Sequence, residues 1–190
     1  MTHKYKCILS ANANGTFQRY DFRANGMFDP EVAVGGHQPM YFDQMTALYD
    51  QYTVIGSRIK ITITRTPSGN NGVDPIYFVL FNNDDTSVAG TSVIDVAESN
   101  SGRIKIAAPD AGYHPTSLVL TSKYSAKKTY GNAQLNNTNI QGTATSDPPE
   151  QTYYTLCYQT GAGAAVCAWQ ALVEIDYIAV WTEVKEIASS

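Results

Sequence analysis

GHQPMYFDQMTALYDQYTVIGSRIKITITRT, residues 36–66, holds two periodicities in succession, and the fold is read from the change between them. Pro39 suits a first helical turn, where a missing N–H costs nothing. Phe42, Met45, Leu48, Tyr49 and Tyr52 recur at three- and four-residue steps, so the spacing predicts a helix that anchors the fold through one apolar face. After Tyr52 the period falls to two. Ile59, Ile61 and Ile63 alternate with Arg58, Lys60, Thr62 and Thr64, the pattern of a strand with one face buried. Thr66-Pro67-Ser68-Gly69-Asn70-Asn71-Gly72 closes the strand in a turn-rich loop.

Outward from this unit almost everything reads as β. Tyr5, Cys7 and Leu9 alternate with Lys4, Lys6 and Ile8 in a first strand, His3 to Ser10. A second runs from Thr16 to Ala24, where Phe17, Tyr20 and Phe22 break strict alternation and point to a bulge or to burial on both faces. Ile76 to Asn82 is continuously apolar, which suggests a central strand covered on both sides. Val93 to Val96 fits a short helix or a strand equally. Gly102 to Ala107, Leu118 to Lys128 and Thr152 to Gln159 read as further strands. Gly131 to Glu150, rich in Asn, Thr and Gly, reads as a long surface loop. Ala165 to Val184 is long for one strand. It fits a strand pair, one long bent strand, or a buried helix over Ala164 to Val173. About eight strands, one helix and long connections favour a single all-β domain over residues 1–190, a jelly-roll sandwich of eight antiparallel strands.

The 190 residues are 43% hydrophobic, enough for a core, and only 16% charged. Seventeen acidic against thirteen basic residues leave a net charge of −4, which opposes bulk attraction to nucleic acid or anionic membranes but not a local basic face. Cys7, Cys157 and Cys167 form no CxxC pair and read as small buried hydrophobes in a reducing compartment. The N-terminal residues MTHKYKC show no apolar signal region, and no window is apolar enough for a membrane span.

Chemistry is sparse. His3, His37 and His114 have no metal-ligand spacing; His37 reads as a local hydrogen-bonding residue and His114-Pro115 as a loop feature. There is no GxSxG elbow, P-loop or GxGxxG. An enzyme is not expected, a cupin-like one included, since that needs clustered histidines. Asp84-Asp85 is the nearest thing to a paired carboxylate; neighbours on a loop point apart, and the sharper reading is a Ca²⁺ site with loop carbonyls. Asn14-Gly15-Thr16 and Asn136-Asn137-Thr138 match a glycosylation pattern by chance. Basic residues offer more. Arg58 and Lys60 share a strand face, Arg103 and Lys105 flank Ile104, and Lys123, Lys127 and Lys128 lie near Tyr124 and Tyr130. Together they could present phosphate contacts. A carbohydrate- or receptor-binding jelly roll is the alternative, using thirteen tyrosines and the Asn132 to Asn139 loop.

Gly36-His37-Gln38-Pro39-Met40-Tyr41-Phe42-Asp43-Gln44, then Ala47-Leu48-Tyr49 and Tyr52, then the Arg58 to Thr64 strand, resemble a signature of capsid proteins of small circular single-stranded DNA viruses that encode a replication initiator, the circovirus-like group. His114-Pro115, Ser122-Lys123-Tyr124 and Lys127-Lys128-Thr129-Tyr130-Gly131 are similar to a second segment of that family, and the final apolar strand also fits. The resemblance implies a coat protein that assembles with itself, roughly sixty subunits to a T=1 icosahedral shell, around circular single-stranded DNA. It implies location in the virion, with assembly in the host nucleus or cytoplasm, no cofactor and no membrane. Such proteins usually begin with an Arg/Lys-rich arm. This sequence begins Met1-Thr2-His3-Lys4-Tyr5, so DNA binding is expected to be weak and shells nearly empty. Ser68 to Asp74, Asn82 to Thr91 and Gly131 to Glu150 are expected at the outer surface or symmetry axes, where an unidentified host receptor would bind.

Overall fold

In the computed structural model, which describes residues 1–33, 36–66, 74–88, 90–99, 103–107, 117–131, 134–161 and 166–186, alternation along the chain becomes nine strands. They are β1 (Thr2–Ala13), β2 (Gln18–Arg23), β3 (Tyr49–Arg65), β4 (Ile76–Asn83), β5 (Lys105–Ala107), β6 (Leu118–Ser125), β7 (Gln141–Thr143), β8 (Tyr153–Thr160) and β9 (Cys167–Val184). Three short helices accompany them: α1 (Phe42–Thr46), α2 (Val93–Ser99) and α3 (Ala126–Tyr130). One sheet has the order β1-β9-β3-β6, with β7 also beside β3; the other is β2-β8-β4-β5. All pairings are antiparallel. The first strand therefore pairs with the last and the second with the last but one. With β7 set aside, every connection except β4–β5 crosses between sheets. This is a jelly roll.

The sheets bury their facing sides. Ile59, Ile61 and Ile63 of β3 and Val173 and Ile175 of β9 join Phe78, Tyr154 and Leu156 of the second sheet in one cluster. Trp169 stands edge-on to Tyr158 and Phe78, with ring centroids at 4.8 and 5.3 Å. The apolar run of β4 is explained by a second cluster outside the second sheet. There Val79, Phe81 and Cys157 pack under Val93, Val96 and Ala97 of α2, with Phe17 against them. Phe17 thus faces outward while Tyr20 and Phe22 face the main core; β2 pairs with β8 in unbroken register, so no bulge is needed. The Val93 to Val96 ambiguity resolves as helix.

Several expectations need correction. The predicted anchoring helix ends at Thr46, and only Phe42 and Thr46 of α1 are buried. Pro39 precedes the helix, its carbonyl accepting from Phe42 N at 3.1 Å. Met45 is half-buried, Leu48 is exposed, and Tyr49 and Tyr52 already belong to β3. The reason is competition from β9: Tyr49 pairs with Val184 and Lys185 N bonds Leu48 O at 2.9 Å, and a one-turn helix has no cooperativity to resist. Likewise β6 stops at Ser125, so Lys127 and Lys128 sit on α3 rather than on a strand. The span Gly131 to Glu150 contains β7 and two 3₁₀ turns, Gln134–Asn136 and Thr138–Ile140. The described part of Ala165 to Val184 yields neither a strand pair nor a helix. From Cys167 onward it is one strand, hydrogen-bonded on one side to β1 and on the other to β3.

Tyr52 ties loops to the end of the sheet. Its hydroxyl accepts from Met27 N (3.0 Å) and Phe28 N (3.3 Å) and donates to Asp147 Oδ1 (3.3 Å). Arg23 Nε approaches Asp147 Oδ2 at 3.3 Å. Burial pushes the Asp147 carboxyl up, although Arg23 pulls it the other way. Gly142 of β7 lies so close over Tyr52 that a Cβ there would collide with the ring. None of the three cysteines is in a disulfide; Cys157 and Cys167 are buried, as small hydrophobes would be, but Cys7 is only half-buried.

Candidate nucleic-acid interface

The outer face of the β1-β9-β3-β6 sheet carries the residues that alternate away from the core. Register places them in rows. Lys4 lies opposite Asp176, which lies opposite Arg58, which lies opposite Lys123. The next row is Lys6, Glu174, Lys60 and Thr121, and the one after is Ile8, Leu172, Thr62 and Val119. Five cations against two carboxylates leave three positive charges on this face of a chain whose net charge is −4. Pleat geometry sets cations of one strand about 6.6 Å apart and those of β1 and β3 roughly 9.6 Å apart across β9.

Lys4, Lys6, Arg58, Lys60, Glu174 and Asp176 line a shallow depression of about 190 Å³. Glu174 is its centre. Lys6 Nζ meets Glu174 Oε1 at 2.7 Å and Lys60 Nζ meets Oε2 at 3.3 Å. These two hydrogen bonds, Lys6 first, hold the Glu174 carboxyl below its usual value, and Glu174 in turn raises the Lys6 ammonium. Lys4, Arg58 and Lys123 have no carboxylate partner within ion-pair distance among the described residues. The arrangement can bind an extended anion directly through Lys4, Arg58 and Lys123, and through Lys6 and Lys60 once they exchange Glu174 for it.

Of the seven basic residues that the sequence singles out, Arg58, Lys60 and Lys123 come together here. Lys105 adjoins them: from β5 of the other sheet its Nζ donates to Val119 O of β6 at 2.7 Å. Arg103 is exposed just before β5, and Lys127 and Lys128 occupy the last turn of α3; none has a place in these rows. Lys4 and Lys6 are the members that sequence reasoning missed. Their alternation with Tyr5, Cys7 and Leu9 marked them as outward-facing, but only the β1–β9 pairing puts them beside Arg58 and Lys60.

Asp84 and Asp85 do not converge. Asp85 accepts from Ser87 N (2.9 Å) and Ser87 Oγ (2.6 Å), which lower its carboxyl. Among the described residues no group of three or more His, Cys, Asp or Glu could hold a metal ion. His37 stacks on Tyr5, centroids 4.8 Å apart. His3 is buried, and His114 lies outside the described residues, as do most of Ser68 to Asp74 and part of the Asn132 to Asn139 loop.

No protein-family model and no curated protein matches the sequence. Solved structures do. A chain of Desmodium yellow mottle tymovirus is 15% identical with a TM-score of 0.47, covering 100% of this chain and 91% of that one. Turnip yellow mosaic virus gives 11%, 0.43, and 96% of each chain. Rhinovirus-B5 gives 10%, 0.45, and 98% of this chain against 70% of that one. Likeness of this degree says nothing about activity.

Proposed function

We propose that the chain is the coat subunit of a small icosahedral virus and assembles with itself into a closed shell. The observation that carries this is a complete jelly roll with one sheet face left bare and basic. Large apolar side chains are also exposed on the surface. Val184 is 72% exposed, Met40 64% and Leu48 50%, and such groups are expected where copies meet. The resemblance of residues 36–64 to circovirus-like coat proteins supports a T=1 shell of sixty subunits around single-stranded DNA, located in the virion. In this reading the β1-β9-β3-β6 face turns toward the genome and the β3–β4, β4–α2 and α3–β8 connections carry the contacts at symmetry axes or to a host receptor.

The carbohydrate-binding alternative loses its main support in the structure. Of the twelve tyrosines among the described residues only Tyr41 is exposed, which leaves few free rings among them on which sugars could stack.

Sedimentation velocity at physiological salt, with negative-stain microscopy of the fastest fraction, tests the reading. Sixty copies of 20.7 kDa give a particle of about 1.2 MDa. A monomer or small oligomer at every salt and calcium concentration would reject it. Digesting the extracted contents with DNase and RNase separately then decides the genome type.

A further inference from the structure

His3 has no exposed surface. It points inward from β1, opposite Tyr177 of β9. Its Nε2 lies 3.0 Å from Trp181 Nε1. An indole N–H can only donate, so Nε2 must be the unprotonated nitrogen. The proton therefore sits on Nδ1, which donates to Met40 O at 3.1 Å. Both ring nitrogens are used, in one tautomer, and the ring is neutral.

The two bonds fasten a segment with few other supports. Met40 N donates to Lys4 O at 3.1 Å and His37 stacks on Tyr5, so residues 36–41 lie strapped along β1. They lead into α1, whose Phe42 packs on Trp181 with centroids 5.7 Å apart. Trp181 also meets Tyr52 (5.5 Å) and the His3 ring itself (5.6 Å). Tyr41, at the start of α1, has a left-handed φ of 68° and no side-chain cap. A helix of five residues in that state is held by its packing, not by its own hydrogen bonds.

We propose that His3 is a proton-operated latch: a second ring proton, taken from solvent at Nε2, sets two donors face to face, expels the Trp181 indole and frees residues 36–41 from β1.

The surroundings of the ring favour this. Burial is the largest influence and lowers its affinity for the proton below the ordinary value of 6.5. The Met1 ammonium, which donates to Ala179 O at 2.7 Å, acts in the same direction, while the Met40 carbonyl opposes them. From β9 the ring meets Tyr177 and Trp181, which carry no charge. The carboxylates of the neighbouring elements are engaged or exposed elsewhere: Glu31 accepts from Tyr5 (3.3 Å), Asp50 meets Lys185 (3.6 Å), and Asp43 is exposed on α1. No carboxylate among the described residues pairs with His3 to hold an imidazolium. With the folded affinity lowered, the latch is fully stabilising above pH 6.5 and weakens as pH falls from there toward the folded value. One proton makes the open fraction rise by up to about tenfold per pH unit in that window.

The test is hydrogen exchange of the full chain, read at residues 36–42 at pH 7.5, 6.5 and 5.5 and corrected for the intrinsic rate, alongside tryptophan fluorescence. Opening of this segment should increase as pH falls, with β3 and β8 unchanged. The variant His3→Gln can accept from Trp181 and donate to Met40 but does not titrate, so it should stay protected throughout. No increase in the wild-type chain, or the same pH curve in His3→Gln, overturns the proposal. Should His3→Gln fail to fold, the ¹⁵N shifts of His3 in the wild-type chain decide: a proton on Nε2 at neutral pH overturns it, and one on Nδ1 with the pH-dependent opening supports it.

Discussion

The two sheets of this sandwich treat their outer faces in opposite ways. On β2-β8-β4-β5, Val79, Phe81 and Cys157 point outward and are roofed by Val93, Val96 and Ala97 of α2. On β1-β9-β3-β6, the equivalent positions are Lys4, Lys6, Arg58, Lys60, Glu174 and Asp176, and no helix among the described residues covers them. One face stabilises the domain, since each fully buried Val or Phe is worth about 1.5–3 kcal/mol. The other contributes little to stability, because exposed ion pairs are worth about 0–1 kcal/mol. Exposed charge on a sheet that could have been covered points to a role outside the fold.

The contrast can be broken most forcefully at the roof. Val96 is fully buried in α2, and Val96→Asp should destabilise the domain by about 3–5 kcal/mol, because the carboxylate has no buried partner. Urea denaturation reads this directly. The double change Arg58→Glu and Lys60→Glu on the bare face should move stability by no more than about 1 kcal/mol. Its effect belongs on binding: affinity for a fluorescent single-stranded oligonucleotide should fall at least about tenfold at low salt, and the slope of log affinity against log salt should flatten by about 1–2. If both variants changed stability alike, the division between the faces would be wrong.

A finer test concerns Glu174. Glu174→Gln releases Lys6 and Lys60 and should raise oligonucleotide affinity a few-fold, at a stability cost under about 1 kcal/mol. The pH dependence follows the same bond. The folded carboxyl lies below its ordinary value of 4.5, so the wild-type chain keeps this stabilisation above pH 4.5 and loses it as pH falls toward the folded value. The Gln variant should lack that component in melting curves taken across the acid range. The smallest effect is expected for calcium. With Asp85 already bonded to Ser87, adding Ca²⁺ or EGTA should shift Tm by less than about 1 °C, since ligand stabilisation needs a site with affinity.

Much of this contrast can be read locally. Alternation in residues 58–64 separates Ile59, Ile61 and Ile63 from Arg58 and Lys60 because a strand shows its two faces within a few residues. The unbroken apolar run of β4 announced a cover on both sides without naming it. What depends on distant pairing stayed hidden. Lys4 and Lys6 join Arg58 and Lys60 only because β9 runs between β1 and β3. Leu48 looks helical by spacing, yet its carbonyl is taken by Lys185 N. Alternation with Lys4 puts His3 on the inward face beside Tyr5, but its two bonding partners, Trp181 and Met40, lie far from it in the chain, so nothing local showed that both ring nitrogens are used.

The position of β9 sets a timetable for biosynthesis. Residues 2–13 need residues 167–178 as their hydrogen-bonding partner, and β3 needs the same strand on its own edge. A ribosome adding about 5–20 residues per second delivers that partner roughly ten to thirty seconds after β1 has been made. Until then the largest sheet lacks its middle, and a nascent chain stopped short of residue 167 has two unjoined strand edges. A truncated translation product therefore cannot present the finished surface of a full-length one, and quality control over which chains associate is built into the order of synthesis.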